Sequence, residues 1–541
     1  MKISLNKLKN KFNLFKNCKN KTIYMSEQLY IKYHKWGKKE YHKLFHTCSK
    51  LLNMKSLQFY MPFFSLYFYI HNTPKSHKII DLERKFYLSE IHEITKHRYY
   101  NSNMFLKATI YDSGKNIYNQ KEIFCKTIPI LDPIHCLNNN YNLVCKNNYH
   151  LPSGYNYNTF HKINDMNNTA YVDVFCSYLF SQLTQLKKNP SFPIFYGSVN
   201  GIGDYKFDIT EEYHDLRIDK CFNDNLGKGF TMDMYISDSD DSDYSDDSDS
   251  INISSEDDDE NNDNDNENND NENNDNDDEN VDENVDNDDD SSSSEDDYND
   301  DYIAHINKIP LQLLFIEKLE GTLEDILLDD DFNENLLMSC LFQISFALSY
   351  LQRRYDFTHN DLHINNIMYK KTEIKFLYYK LNNIYFKIPT YGKIFKIIDF
   401  GRAIFTFKNK TFMNDVFSKN SEAGGQYNYP EQVHFLKEMK NNKNIKSNPN
   451  YHFDLCRLSM TILEELQTDK IENKNILDFL KKLCVDKNGN NFCDMNDDFS
   501  LYICIANGAC HSLPREVLNN KLFKKYRVPK KQFPRKSFYQ L

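Results

Sequence analysis

The chain carries the sequence HNDLHINN at residues 359–366 and the sequence IIDFG at residues 397–401. In the first stretch a His, an Asp and an Asn occupy the first, third and eighth positions. The second stretch reads as an apolar strand that ends in a turn at Asp399 and Gly401. Both stretches place carboxylate or amide side chains where regular structure is expected to end, and such positions are typical of functional sites.

The order and spacing of these two stretches resemble the catalytic loop and the metal-binding turn of the eukaryotic-type protein kinase superfamily. Phosphoryl transfer needs positioning and charge neutralisation more than covalent chemistry. The resemblance implies that Asp361 orients the acceptor hydroxyl or accepts its proton, and that His363 contacts the γ-phosphate. It also implies that Asn366 and Asp399 hold Mg²⁺, which favours one or two carboxylates together with phosphate oxygens. The alternative is that Asp361 and Asp399 are ordinary turn carboxylates.

The resemblance covers about residues 81–541 and implies an α+β, bilobal protein-kinase-like fold with a small β-rich lobe and a larger helical lobe. It is most marked for the divergent serine/threonine-protein kinases of giant DNA viruses, through the catalytic-loop motif and residues 391–404 (YGKIFKIIDFGRAI). It implies ATP and Mg²⁺ as cofactors and protein substrates as partners. The predicted boundaries are 1–80 for a partly basic N-terminal extension, 81–236 for the kinase small lobe, 237–301 for a disordered Asp/Asn/Ser-rich insertion, 302–321 for the last small-lobe strand and hinge, and 322–541 for the large lobe with a basic C-terminal tail.

Lys126 is the predicted lysine of the nucleotide site. Residues 122–130 (EIFCKTIPI) read as a strand with this lysine between apolar neighbours, and their resemblance to the V-A-I-K strand of kinases implies contact with the α- and β-phosphates. Residues 169–186 read as a helix with one apolar face. Kinases carry a Glu on this helix, and Asp173, its only acid, is the candidate partner of Lys126. The alternative is an edge-strand lysine that faces solvent.

The hinge is predicted at residues 311–321 (LQLLFIEKLEG), which resemble the last small-lobe strand and the segment after it. The resemblance implies that the backbone around Glu317 and Leu319 hydrogen-bonds adenine. Residues 453–459 (FDLCRLS) resemble the start of the buried central helix of the large lobe. In kinases the Asp of that helix, here Asp454, hydrogen-bonds the backbone of the catalytic loop. This match favours a protein kinase over more distant small-molecule kinases.

Local patterns predict further elements around these motifs. Residues 104–111 (MFLKATIY) read as a strand, and Thr322 and Asp325 form a capping-box pattern at a helix start. Residues 334–354 keep an apolar period of 3.6 residues, which predicts a long helix. Residues 375–398 read as an enlarged β-hairpin between the two motifs.

The net charge of −12 is the sum of one strongly acidic tract and a basic remainder of the chain. Residues 237–301 contain 32 of the 78 Asp and Glu residues and no Lys or Arg, which leaves 46 acidic against 66 basic residues and a net of +20 elsewhere. The acidic tract is nearly devoid of apolar residues, so burial cannot offset the entropy of ordering it, and we predict disorder. It could bind basic partners or serve as a spacer. A basic body alone gives no direct evidence for nucleic acid binding.

Other features bear on location. The 13 Cys residues form no C-x-x-C pair and no secretory signal is recognised, which favours a reducing, intracellular setting, the host cytoplasm for a viral protein. Residues 57–70 (LQFYMPFFSLYFYI) are strongly apolar, but they are fewer than the ~20 residues of a spanning helix and include Pro62. We therefore predict that this stretch packs on the globular body and that the chain has no membrane span.

The chain departs from the kinase pattern at three places. Asn360 replaces the Arg that binds an activation-loop phosphate, so we predict no phosphorylation switch of that type. His363 replaces a Lys, and the resulting D-L-H resembles aminoglycoside and related small-molecule kinases. Residues 86–104 contain no Gly, so a Gly-rich phosphate loop is missing, and the predicted helix lacks its Glu. An active serine/threonine-protein kinase therefore has two alternatives, a pseudokinase that binds nucleotide or partners, and a small-molecule kinase.

Overall fold

The protein has a mixed α+β fold, with a β-rich N-terminal region and most of its helices later in the chain. The computed structural model describes residues 29, 31–59, 62, 80–97, 102–141, 157–236, 250–253, 300–408, 410–419, 421–429, 449–466, 470–495 and 499–541. This architecture agrees with the predicted α+β class.

The strands and α-helices of the described residues have the following bounds. The strands are β1 (Tyr33–Lys35), β2 (Lys55–Gln58), β3 (Ile80–Leu82), β4 (Phe86–His97), β5 (Met104–Asp112), β6 (Ile117–Pro129), β7 (Phe195–Asp208), β8 (Phe230–Ile236), β9 (Ser250–Ile253), β10 (Asp300–Glu317), β11 (Gly321–Thr322), β12 (Ile367–Lys371), β13 (Phe376–Leu381), β14 (Ile384–Pro389), β15 (Lys393–Ile397), β16 (Ile404–Phe407), β17 (Lys410–Met413) and β18 (Tyr539–Gln540). The helices are α1 (Lys38–Leu51), α2 (Pro133–Leu137), α3 (Tyr157–Asn164), α4 (Thr169–Gln185), α5 (Tyr213–Leu216), α6 (Lys220–Asn225), α7 (Leu323–Leu328), α8 (Glu334–Tyr355), α9 (Phe453–Glu465), α10 (Lys474–Leu483), α11 (Phe499–Gly508) and α12 (Pro514–Val517).

The chain divides into two compact units. The first comprises residues 1–131, 146–203 and 308–541, and the second comprises residues 132–145 and 204–307. All the predicted site residues belong to the first unit.

The sheet of the first unit follows the strand order β2-β7-β10-β6-β5-β4. The last four strands of this order pair antiparallel in turn, and Leu314 of β10 lies opposite Lys126 of β6. Side chains along β5 alternate between buried and more exposed positions, because one face of the sheet packs on the core. The strand predicted over residues 104–111 is confirmed. Lys126 lies on an inner strand and not at the sheet edge.

Part of the predicted N-terminal extension packs with this unit. β1 pairs with β3, β2 pairs with β7, and Nε1 of Trp36 donates a hydrogen bond to Oδ2 of Asp81 at 3.1 Å. The apolar stretch 57–70 is described only at 57–59 and 62, where Leu57 and Phe59 are buried, and the rest of it lies outside the described residues. No helix in the described part of the chain is long and apolar enough to cross a bilayer.

Helix α4 begins and ends close to the predicted bounds. Oδ1 of Asn168 accepts a hydrogen bond from the N–H of Ala170 at 3.0 Å and so caps the helix start. Most of its side chains from Ala170 to Leu183 are buried, including the polar Asp173. A buried helix that carries a carboxylate needs a partner for that charge, which is a first indication of a site here.

The two helices that follow agree with the sequence patterns, whereas the hairpin predicted over residues 375–398 is formed only by β13 and β14, because β15 pairs with β12. Thr322 N donates to Asp325 Oδ2 at 2.6 Å and Asp325 N donates to Thr322 Oγ1 at 3.1 Å, which confirms the capping box of α7. Helix α8 extends one residue past the predicted end and stops at Asp356, whose φ is +47°. β13 and β14 pair antiparallel around Asn382, whose φ of +54° suits a two-residue hairpin turn.

In the second unit, β8 pairs antiparallel with β9 and with the first residues of β10. Nδ2 of Asn225 donates to the carbonyl oxygens of Cys136 and Leu137, at 3.1 and 2.8 Å, and joins α6 to α2. Residues 250–253 and 300–301 form strand within the range predicted as disordered. The other residues of 237–301 lie outside the described residues, and their disorder stays a prediction.

Candidate active site

One buried carboxylate holds the backbone of the catalytic-loop motif. Asp454, on the first turn of α9, accepts hydrogen bonds from the N–H of His359, at 3.1 and 3.0 Å, and from the N–H of Asn360, at 3.0 Å. Burial raises the pKa of Asp454, although the neighbouring His359 and these backbone donors act in the opposite direction. The hydrogen bond that the resemblance implied for Asp454 is therefore present.

The ring of His359 joins this loop to the Asp-Phe-Gly motif. Its Nε2 lies 2.9 Å from the carbonyl oxygen of Ile398, the residue before Asp399. A carbonyl oxygen only accepts, so we assign the proton to Nε2 in this contact. Thr358 and Ile404 form an antiparallel bridge beside it. The two motifs are thus fixed side by side.

Asp361, His363 and Asn366 lie together at the end of the loop. Nδ2 of Asn366 donates to the backbone oxygen of Asp361 at 2.8 Å and to Nε2 of His363 at 2.9 Å. Burial lowers the pKa of His363, with Asp361 opposing the shift, so the ring is neutral at pH 7 and its Nε2 accepts this bond. Both contacts use the amide nitrogen of Asn366, which makes Oδ1 the atom suited to a cation.

Lys126 lies between two carboxylates. Its Nζ is 2.7 Å from Oδ2 of Asp173 and 2.7 Å from Oδ1 of Asp399. Burial acts to lower the pKa of Lys126, but the two carboxylates outweigh it and raise the pKa above its ordinary value. Lys126 therefore stays protonated. These contacts exclude the alternative of a lysine that faces solvent.

The side chains of Asp173 and Asp399 differ in their exposure to solvent. The side chain of Asp173 is 1% exposed, whereas that of Asp399 is 38% exposed. Oδ1 of Asp173 also accepts a hydrogen bond from the N–H of Phe400 at 3.1 Å, so this helix residue contacts both the lysine and the Asp-Phe-Gly turn. Burial acts to raise the pKa of Asp399, but Lys126 outweighs it and lowers the pKa to about 2. Asp399 is the ionised carboxylate that a ligand can reach.

The predicted hinge uses part of its polar backbone within the chain. The N–H of Glu317 donates to the carbonyl oxygen of Ile194 at 2.9 Å. Oε1 of Glu317 accepts from the N–H of Ile194 at 3.0 Å and lies 3.4 Å from Nζ of Lys396. Leu319 is buried. An adenine contact at Glu317 is therefore limited to its carbonyl oxygen, and the adenine contacts of Glu317 and Leu319 stay predictions.

A cavity of about 440 Å³ opens beside Asp361. Its lining includes His363 together with Arg457 of α9 and Tyr502 of α11. The sequence patterns did not predict the last two residues. Arg457 lies about one helical turn after Asp454, so the motif at residues 453–459 could have indicated that it lies near the loop. No local sequence pattern indicates Tyr502.

The donor atoms fit Mg²⁺ bound together with phosphate. No group of three or more His, Cys, Asp or Glu residues in the described ranges could hold a metal ion, so a closed protein cage is not found there. Mg²⁺ does not need such a cage, since it keeps several waters and binds through one or two carboxylates plus phosphate oxygens. The exposed carboxylate of Asp399 and Oδ1 of Asn366 are hard oxygen donors of this kind.

The comparisons with known proteins point to a kinase. No protein-family model matches the chain. Serine/threonine-protein kinase haspin of Bos taurus is 32% identical over 104 residues, which are 19% of this chain and 13% of the relative. Haspin of Mus musculus is 31% identical over 136 residues, 25% of this chain and 17% of the relative. The chain thus matches less than a fifth of the length of these curated relatives.

This partial similarity supports a protein-kinase-like relationship, and the mixed α+β architecture is compatible with a kinase-like fold. The resemblance to kinases of giant DNA viruses stays a prediction.

Proposed function

We propose that the chain is an ATP-dependent protein kinase that transfers the γ-phosphoryl group of Mg-ATP to Ser or Thr hydroxyls of protein substrates. The main support for the proposal is the contact of Lys126 with Asp173 and with Asp399, at 2.7 Å each. The strand lysine, the helix carboxylate and the Asp of the Asp-Phe-Gly turn belong to separate elements, and no local pattern brings them together. Phosphoryl transfer explains their contact, because it needs charged groups positioned around the phosphates. The similarity to haspin points the same way.

In this proposal the β-rich region is a small lobe and the later helices form a large lobe, with the nucleotide between them. Lys126, kept protonated by its two carboxylates, binds the α- and β-phosphates. Asp399 and Oδ1 of Asn366 hold Mg²⁺, which neutralises phosphate charge when it is bound.

The acceptor hydroxyl would enter through the cavity beside Asp361, which orients it and accepts its proton. His363 is the candidate contact for the γ-phosphate. In the structure its Nε2 accepts from Asn366, so a contact through that nitrogen requires the ring to turn.

Transfer of radiolabelled γ-phosphate to mixed protein acceptors tests the proposal. We expect Mg²⁺-dependent incorporation with the wild type and none above background with Asp399→Ala, because this variant loses the accessible metal carboxylate. Asp330→Ala removes an exposed carboxylate outside the site and serves as the matched control, with wild-type incorporation expected. A wild type that transfers no phosphate above background would refute the proposal.

A pseudokinase is the second candidate. The absence of Gly from residues 86–104 and of Glu from α4 favours it, because phosphate cover and the usual lysine partner are both altered. It predicts that a Mg-bound ATP analogue raises the melting temperature of the protein while the wild type and Asp361→Asn show equal, background transfer. A screen of peptide against aminoglycoside acceptors separates the small-molecule alternative suggested by the D-L-H sequence.

Position 360, where kinases carry the Arg that binds an activation-loop phosphate, is an Asn in this chain. Asn360 is fully buried, and its Nδ2 donates to Oγ1 of Thr358 at 3.1 Å and to the carbonyl oxygen of Arg402 at 3.0 Å. Its Oδ1 accepts from the hydroxyl of Tyr427 at 3.0 Å. We therefore expect phosphatase treatment to leave kinase activity unchanged. Loss of activity after that treatment would contradict this expectation.

A further inference from the structure

Asn414 is a fully buried amide in the segment that follows the Asp-Phe-Gly turn. Its Nδ2 donates to the carbonyl oxygen of Gly401 and, at 2.9 Å, to Oγ1 of Thr169, the first residue of α4. Its Oδ1 accepts from the N–H of Val416 at 2.9 Å. One side chain therefore contacts the turn, the start of the helix and its own segment.

The backbone around this amide fits closely. The N–H of Asp415 donates to the carbonyl oxygen of Asn167 at 3.3 Å, and the N–H of Met413 donates to Oδ1 of Asn167 at 3.4 Å. A Cβ placed on Gly401 would lie 3.2 Å from Cγ2 of Thr169, tighter than ordinary contact. The turn and the helix start are thus packed against each other with little space between them.

An ion pair lies beside the amide. Nζ of Lys162, on α3, is 2.5 Å from Oδ2 of Asp415, and the two side chains are 27% and 15% exposed. Oδ1 of Asp415 is buried without a hydrogen-bond partner among the described residues. Loss of the lysine would leave a largely buried carboxylate without its countercharge, which is unfavourable.

Aromatic packing extends the same contact along α4. The ring of Phe175 lies 5.1 Å from that of Phe412 and 5.8 Å from that of Phe407, between centroids, and Phe412 stacks on Phe405 at 4.9 Å. The β16–β17 hairpin therefore packs on the helix two residues after Asp173.

We propose that Asn414 and the Lys162–Asp415 ion pair are positioning residues that fasten α4 to the Asp-Phe-Gly turn. Thr169 lies about one helical turn before the carboxylate that binds Lys126, and Gly401 lies two residues after the other one. Joining these two points fixes the separation of the carboxylates around the lysine. Because the site so positioned is the nucleotide site proposed above, the assignment rests on the proposed function.

A charge swap tests the ion pair. We expect Lys162→Asp and Asp415→Lys each to weaken the affinity for a Mg-bound, non-hydrolysable ATP analogue by roughly 5- to 30-fold, and to raise the KM for ATP more than they lower kcat. The double swap should restore most of the affinity. The exposed Lys32–Glu83 pair, at 3.7 Å, is the matched control, and its swap should change neither quantity. Failure of the double swap to restore affinity would overturn the role of the ion pair.

The hydroxyl of Thr169 gives a variant pair with little risk to folding. Thr169→Ser keeps the Oγ that contacts Asn414, and Thr169→Val keeps the shape without it. We expect near wild-type nucleotide affinity for Thr169→Ser and a loss of several-fold for Thr169→Val and for Asn414→Ala. A purely structural role would lower the melting temperature of these variants while leaving the nucleotide affinity of the folded protein unchanged, which would contradict the proposal.

Amide hydrogen exchange separates failure of this proposal from failure of the proposed function. The N–H of Phe400 is bonded to Asp173, so it reports on the helix–turn contact without any nucleotide. We expect faster exchange at this amide in Asn414→Ala. Unchanged exchange would overturn the positioning role, even in an active kinase. Faster exchange in a protein that never binds ATP would uphold the contact and refute the kinase.

Discussion

The catalytic loop (residues 359–366) and the lysine network (Lys126, Asp173 and Asp399) are held in place by different kinds of interaction. The loop consists of consecutive residues, and its shape depends on backbone N–H groups that point at one buried carboxylate, Asp454. The network consists of three charged side chains from β6, α4 and the Asp-Phe-Gly turn. Two of its members, Lys126 and Asp173, are 47 residues apart in the sequence. The loop is held by hydrogen bonds from backbone N–H groups to one carboxylate, whereas the network is held by ion pairs between side chains.

This difference has a physical consequence. A loop held through its backbone keeps its shape when an outward side chain is changed, so such a substitution should alter chemistry and little else. A network held by charges in partial burial depends on distance, because the attraction in a low-dielectric site falls off as the groups separate. Substitutions there should alter nucleotide binding and geometry together.

The largest effect is expected for Asp361→Asn. The side chain of Asp361 lines the cavity, while its backbone oxygen alone accepts the bond from Asn366, so the loop keeps its shape in the variant. Loss of the proposed general base should lower kcat by about 10²- to 10⁴-fold. Affinity for a Mg-bound ATP analogue should stay close to that of the wild type. Steady-state kinetics and calorimetric titration measure the two quantities, and an equal loss in both would remove the contrast between loop and network.

A smaller loss is expected for substitutions of Asp173. The helix is close enough for an Asp to reach Lys126 at 2.7 Å, and the side chain is 1% exposed, so Glu adds a methylene where there is no space. Asp173→Glu, which installs the usual kinase residue, should lower the free energy of unfolding by about 1–3 kcal/mol. It should also lower kcat/KM by roughly 10²-fold through displacement of the lysine.

Asp173→Asn is the isosteric control for this change, because it keeps the shape and the acceptor for Phe400 N–H but removes the charge. We expect it to weaken nucleotide affinity without the overpacking effect on stability. Wild-type kinetics and stability in Asp173→Glu would show that α4 can shift to accommodate the longer side chain. The network would then not depend on the distance between α4 and Lys126.

The sequence held different amounts of information on the two regions. The loop could be predicted because its residues are contiguous and their spacing is specific, and the bond of Asp454 followed from the resemblance. For the network, the sequence places Lys126 only on a strand, and it indicates Asp173 only because α4 has no other acid. Their meeting depends on the packing of β6 against α4, which no local pattern specifies.

Other contacts could not be predicted for the same reason. Asn414 is one of many Asn residues in an Asn-rich chain, and its contacts lie with Gly401 and with Thr169, far away in sequence. The strand at residues 250–253 was missed for another reason. The composition of the long acidic tract hid the short alternation SINI within it, and β8 supplies the hydrogen bonds for that strand.

A third effect is expected at the base of the loop. In Asp454→Asn, an amide oxygen in the place of Oδ1 still accepts from both N–H groups, but the charge is lost and the amide N–H₂ group in the place of Oδ2 faces the N–H of His359. We expect the free energy of unfolding to fall by about 1–3 kcal/mol in chemical denaturation. Ser459→Ala on the same helix is the matched control, because its buried hydroxyl bonds only Leu455 within the helix, at 2.7 Å, and about 1 kcal/mol or less is expected. Equal losses in the two variants would mean that the loop does not depend on Asp454.

The smallest effect is expected for Tyr427→Phe, which tests whether a backbone-held loop also needs a side-chain contact from the segment after it. The hydroxyl of Tyr427 donates to Oδ1 of the buried Asn360 at 3.0 Å, so its removal takes one donor from a buried acceptor. About 1 kcal/mol of unfolding free energy should be lost, and nucleotide affinity should be unchanged, because the network is not touched. Tyr451→Phe removes a hydroxyl that bonds the exposed Asp356 at 3.1 Å and should lose less. A large fall in nucleotide affinity in Tyr427→Phe would show that the loop and the network are one coupled unit, and the contrast between them would then fail.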